Sequence, residues 1–163
     1  MSPNKYVPHV IILPEDDANY QLANGFRLHE AIAQGCIQVL PVAGGWPRVK
    51  SLLNDEHLAG LRNYHLRHLV LLVDFDGDKQ RYGQIIQDFP SDLMPRLFVI
   101  GIWTEPEDLQ RQQLGNNEAV GRQLARECRE NRRELWNHEL LAHNAAELDR
   151  MNGILRPILF PAN

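Results

Sequence analysis

The apolar residues of this chain gather into short, continuous runs, and that pattern limits the possible folds more than any other feature. Val10-Ile11-Ile12-Leu13 and Leu69-Val70-Leu71-Leu72-Val73 show no polar alternation. A run of this kind suits a strand covered on both faces, which is how strands of a parallel sheet are buried. Ile37 to Val42 and Leu97 to Ile102 supply two more strands. Between the runs the period becomes helical. Leu22, Phe26 and Ala33 follow the first run, with Asp16 or Asp17 as N-cap and Gly35 as C-cap. Pro47 opens a helix reaching about Asn54, Leu58 to Leu66 forms another, and Tyr82, Ile85, Ile86 and Phe89 mark a third that Asp78 can cap. Strand and helix therefore alternate, which predicts an α/β fold: a four-stranded parallel sheet with helices on both faces and right-handed crossovers.

The remaining chain reads as a helical C-terminal addition. Val120, Leu124 and Cys128 recur every four residues in a helix predicted from Asn117 to Asn144, and Leu135, Trp136, Leu140 and Leu141 extend its apolar pattern. Leu148, Met151 and Leu155 mark a last helix, and Ile158-Leu159-Phe160 a fifth strand or a packed terminus. Residues 1–163 are read as one domain, with a core over about 9–104 and an extension over about 105–163. No apolar run approaches the roughly 20 residues that span a bilayer. Pro8 and His9 interrupt any signal-peptide core behind Met1, so a cytoplasmic protein with no membrane segment is expected. Cys36 and Cys128 fit no C-x-x-C spacing and read as buried, reduced thiols. The net charge of −4 argues against a protein that coats nucleic acid, but not against an enzyme acting on it.

Two of the apolar runs end in acids. Glu15-Asp16-Asp17 closes the first, after Pro14, and Asp74-Phe75-Asp76-Gly77-Asp78 closes the third. Neighbouring parallel strands would set these carboxylates at one sheet edge, as a site for a hard cation such as Mg²⁺ requires. Asp74 and Asp76 lie two apart, so an extended backbone points them the same way. Gathered carboxylates repel one another unless a cation or an arginine offsets them. Helix capping is the alternative use, strongest for Asp16, Asp17 and Asp78.

In the order of these motifs the chain resembles the Toprim family, the catalytic fold of topoisomerases, bacterial primases and several small nucleases. Leu13-Pro14-Glu15 matches the strand ending in glutamate, Gly44-Gly45 the turn after the second strand, and Asp74-Phe75-Asp76 the Asp-x-Asp of the third, over about residues 9–104. Asp16 and Asn19 depart from the glycine and the acid that the family usually carries there. The resemblance implies that Asp74 and Asp76 hold Mg²⁺ (or Mn²⁺) and that Glu15 binds metal through water or acts as general acid/base. Asp78 and Asp108 are lesser metal candidates. Among the activities of the family, the length best fits a small nuclease that cleaves DNA or RNA. The two departures favour a second reading, a catalytically degenerate Toprim-like domain that binds a partner protein such as an ATPase. A third is a receiver-like domain with Asp74 as phosphoacceptor and Thr104 as switch residue.

Basic residues supply candidates for contact with nucleic acid. Arg122, Arg126, Arg129 and Arg133 form a helical stripe able to track a phosphate backbone, although Glu118, Glu127, Glu130 and Glu134 interleave and suit ordinary ion pairing. Arg48 and Lys50 follow the Gly44-Gly45 turn, where backbone N–H groups can receive a phosphate. No histidine set has zinc spacing: His143 stands five residues after His138, and nothing completes His65 and His68. Lys79 occupies the place where an EF-hand loop needs glycine.

Overall fold

The computed structural model describes residues 2–112 and 114–161. Its centre is a four-stranded, all-parallel sheet in the order β2-β1-β3-β4, formed by β1 (His9–Pro14), β2 (Ile37–Val39), β3 (Arg67–Leu72) and β4 (Leu97–Ile100). Ile12 lies opposite Val39 on one side and Val70 on the other, and Pro14 is opposite Leu72. The strands alternate their side chains between two apolar layers. Val10, Ile12, Val70, Leu72, Phe98 and Ile100 face one; Ile11, Leu13, Leu69, Leu71, Leu97 and Val99 face the other. Burial on both faces is why the strands read as unbroken apolar runs.

The first layer is covered by α1 (Asp17–Arg27), α6 (Asn117–Glu130), α7 (Ala145–Ile154) and α8 (Arg156–Leu159). The second is covered by α2 (Trp46–Leu52), α3 (Leu58–Asn63) and α4 (Arg81–Ile86). The remaining helix, α5 (Pro106–Arg111), follows β4. The C-terminal helices thus share an apolar cluster with the sheet. They also satisfy the open edge of β4 with side chains in place of a fifth strand. Glu147 Oε2 accepts from Val99 N at 2.8 Å, and Asn144 exchanges two bonds with the Gly101 backbone. Arg150 donates to the carbonyls of Met94 and Leu97. An edge occupied in this way cannot template another strand. No helix among the described residues is long and apolar enough to cross a membrane.

Several boundaries differ from the sequence expectation for identifiable reasons. The helix expected over 117–144 stops at Glu130, where Asn131 takes a left-handed conformation (φ 56°). Behind that stop, buried Glu127 turns back and accepts from Leu135 N and Trp136 N. The first helix ends at Arg27, well before Gly35, which lies in a 3₁₀ turn over Gln34–Cys36. β2 is three residues long, and Pro41 has no N–H with which to extend it. The helices expected on either side of residue 56 are joined through a π-helical turn at Leu53–His57. Residues 158–160 form no strand, since α8 takes Ile158 and Leu159. Cys36 and Cys128 are buried, free thiols; burial pushes Cys128 up to about 11.

Candidate functional site

The chain passes from β1 to β2 on one side of β1, then crosses to β3 and β4 on the other. The strand order therefore reverses between the carboxyl ends of β1 and β3, where open α/β sheets form their ligand crevice. Glu15 and Asp74 stand at that point. Glu15 N continues the ladder by donating to Leu72 O at 2.9 Å. Its carbonyl accepts from Gly44 N and Gly45 N, at 2.9 and 3.1 Å. Both glycines have positive φ, 97° and 114°, the region in which a side chain is strained. The Glu15 carboxylate reaches across to the third strand end, where Oε2 accepts from Asp74 N at 2.7 Å.

Asp16 caps α1: its Oδ1 accepts from Asn19 N at 3.0 Å and from Asn19 Nδ2 at 3.1 Å. Asn19 Nδ2 also donates to Asp74 Oδ1 at 3.0 Å, so this one buried amide ties the two strand ends together. Its Oδ1 is buried with no partner among the described residues. Glu15 and Asp74 are each only 8% exposed. Burial pushes the Asp74 carboxyl up to about 8; the Asn19 bond opposes the rise, and the carboxylates of Asp16, Glu15 and Asp76 add to it. Burial also raises Glu15, against the bond from Asp74 N. Both acids therefore hold protons more tightly than free carboxyls do.

Asp76 behaves differently. The extended backbone expected through this run breaks, because Asp76 (φ 51°) and Gly77 (φ 68°) are both left-handed. The Asp76 side chain is 61% exposed and meets Arg81 Nη1 at 3.2 Å. Arg81 Nη1 also donates to the Asp74 carbonyl at 2.9 Å, and its guanidinium lies over the Trp46 ring at 4.5 Å. Phe75, between the two acids, stacks on Trp103 and meets the edge of His143 at 4.7 Å. Burial pushes His143 down to about 4, so the ring is neutral at physiological pH. Gly77 N donates to Trp103 O at 2.8 Å, fixing the acidic turn against the continuation of β4.

The other sequence candidates lie apart from Glu15 and Asp74 in their bonding. Asp78 accepts from Gln80 N at 2.8 Å and shapes its own turn instead of capping α4, whose N-cap residue is Gln80. Asp108, on α5, accepts from Thr104 and pairs with Arg111; the Thr104 bond is the main reason its carboxyl sits below the usual range. Arg48 and Lys50 lie on α2, behind the glycine pair that binds Glu15 O. Arg122, Arg126 and Arg129 are exposed on α6, but Arg133 lies past its end and pairs with Asp149 at 2.6 Å. Among the described residues, no three His, Cys, Asp or Glu side chains converge at metal-ligand spacing. Sequence reasoning missed Arg81, Trp46, Trp103 and His143. Only the turn carried a readable signal, the Asp76-Gly77 pair that favours positive φ at both positions. Comparison of the chain with protein-family models, curated proteins and solved structures returned no match.

Proposed function

We propose that this chain is a Mg²⁺- or Mn²⁺-dependent, Toprim-like enzyme that processes nucleic-acid phosphodiesters, in its simplest form a nuclease. The observation that carries the reading is the meeting of Glu15 and Asp74, distant in sequence, in a buried pair whose proton affinity is raised. The donor chemistry fits a hard cation. Asp74, Asp76 and Glu15 offer carboxylate oxygens, and Asn19 offers a buried carbonyl oxygen without a partner. In this reading Asp74 and Asp76 hold the ion and Glu15 exchanges the proton. Held there, a divalent ion would offset the charge of the scissile phosphate and lower the pKa of water. Hydrolysis joins the water oxygen to phosphorus and breaks one P–O ester bond; the water proton passes to Glu15, which returns it to the leaving oxygen. A carboxyl with a raised pKa accepts and returns a proton near neutral pH more readily than an ordinary glutamate. Arg81 keeps the acidic turn in place through the Asp74 carbonyl and the Asp76 carboxylate. Arg48 and Lys50 bring positive charge to the helix that starts behind the glycine turn.

The test is cleavage of single- and double-stranded DNA and RNA by the purified chain. Cutting should require Mg²⁺ or Mn²⁺ and disappear in Asp74→Ala and Glu15→Gln proteins that melt cooperatively. Intact substrates under both metals, at every strand type, would overturn the proposal. One set of contacts favours a second reading, a degenerate domain that binds a partner protein such as an ATPase. Glu15 Oε2 is engaged by Asp74 N, Asp76 is engaged by Arg81, and Asn19 stands where an acid is expected. Stable co-purification with one partner, in the absence of cleavage, would support it.

A further inference from the structure

We propose that the arginine face of α6 and α8 docks the phosphate backbone of a single-stranded nucleic acid, at a surface separate from the acidic pair. Helix α6 buries Val120, Leu124 and Cys128 against the core and turns Arg122, Arg126 and Arg129 to solvent. Arg156 at the start of α8 joins them, with Nη2 donating to Arg129 O at 2.7 Å. Two surface depressions meet at Glu30. One is lined in part by His29, Arg122 and Arg126, and the other by Arg129, Arg156 and Phe160.

The interleaved glutamates do not neutralise this face. Glu127 is buried under the backbone of Leu135 and Trp136, and Glu130 pairs with Arg132. Among the described residues, none of the four arginines has a carboxylate within ion-pairing distance, although Glu30 and Glu118 border them. Glu30 and Glu118 offset part of this charge, but the four arginines outnumber them, and a local excess of positive charge on an acidic protein points to an anionic partner. Arg122 to Arg129 advances about 10 Å along the helix axis, and Arg156 continues the series. That arrangement suits a polymer with regularly spaced charges, which planar guanidinium groups grip in bidentate fashion. Phe160, packed edge-on against His29 with ring centres 5.9 Å apart, adds an aromatic surface beside the cations, the combination that holds single strands. α1 runs about 16 Å from its Asp16 cap at the acidic edge toward Leu28, so the two surfaces lie at opposite ends of that helix.

Binding here needs neither a divalent ion nor a working acid pair, which sets the test. Fluorescence polarisation of a labelled oligothymidylate would be measured with the full chain in EDTA across a salt series. Affinity should fall with salt, with a log–log slope of about −0.7 per phosphate contacted. Substituting Arg122→Gln, Arg126→Gln and Arg129→Gln together should weaken binding at least about tenfold and flatten the slope by about two. Arg133→Ala, whose arginine lies past the end of α6 and pairs with Asp149, should bind like wild type. Absence of binding at low salt, wild-type affinity in the triple variant, or equal competition by polyglutamate of matched charge would each overturn the proposal. A wild-type chain that binds the oligonucleotide but cleaves no substrate under either metal would count against the acid pair alone.

Discussion

Asp74 is where packing and charge conflict. Its carboxyl is enclosed by Asn19, the Glu15 side chain and the end of β3, and burial there raises its pKa from 3.8 to about 8. A carboxyl of this kind costs stability as pH rises. Below about pH 4 it is protonated in both the folded and the unfolded chain and exacts nothing. Between about pH 4 and pH 8 the unfolded chain ionises while the folded one keeps its proton, so stability falls across that window and levels off above it. Asn at this position keeps an oxygen for Asn19 Nδ2 and does not titrate. In metal-free buffer, Asp74→Asn should therefore melt close to wild type near pH 4 and progressively higher toward pH 8, by a few kcal/mol in order of magnitude. Melting curves that differ by the same amount at both ends would show that Asp74 is not the group under strain.

Where α1 and α6 cross, two glycines let the backbones touch. A Cβ on Gly121 would lie 2.0 Å from Leu22 O, and one on Gly25 would lie 2.1 Å from Glu118 O. Backbone cannot yield as a flexible side chain can, so Gly121→Ala should force the helices apart and cost roughly 3 kcal/mol in denaturant unfolding. Gly153 on α7 has nothing near its missing Cβ, and Gly153→Ala should gain about 0.5–1 kcal/mol. A larger loss at Gly153 than at Gly121 would contradict the packing described. Such pairings also mark the limit of what the sequence discloses. The strands were readable because two-sided burial writes itself as Val-Ile-Leu runs. α1 was readable at its start because Asp16 caps locally. The end of α6 was not, because Leu135, Trp136 and Leu140 prolong a helical pattern past Asn131, whose left-handed backbone ends the helix, and the Glu127 bonds to Leu135 N and Trp136 N hold the turn behind it. Glu15 and Asp74 could be placed at neighbouring strand ends from their positions after apolar runs. The place of Arg81 could not, because an arginine stacked on Trp46 leaves no periodic mark.

The whole molecule is electrically polarised. Carboxylates collect at the carboxyl ends of β1 and β3, and arginines with no ion-pair partner among the described residues lie at the far end of α1, although the net charge is only −4. The acidic end therefore has more to gain from a divalent cation than the net charge suggests. A ligand that binds only the folded chain stabilises it by mass action, about 2.7 kcal/mol at a hundredfold excess over Kd. The cation and the Asp74 proton compete for one carboxylate, so binding must expel that proton wherever the pH is below about 8. Mg²⁺ or Mn²⁺ should accordingly raise Tm more at pH 8.5 than at pH 6, with proton release measurable by calorimetry in buffers of different ionisation enthalpy. Asp74→Asn should remove most of the shift, and with it the part of the pH dependence that Asp74 contributes. A metal-induced shift that is equal at the two pH values, or that survives in Asp74→Asn, would place the ion elsewhere and separate the buried acid pair from any role in holding it.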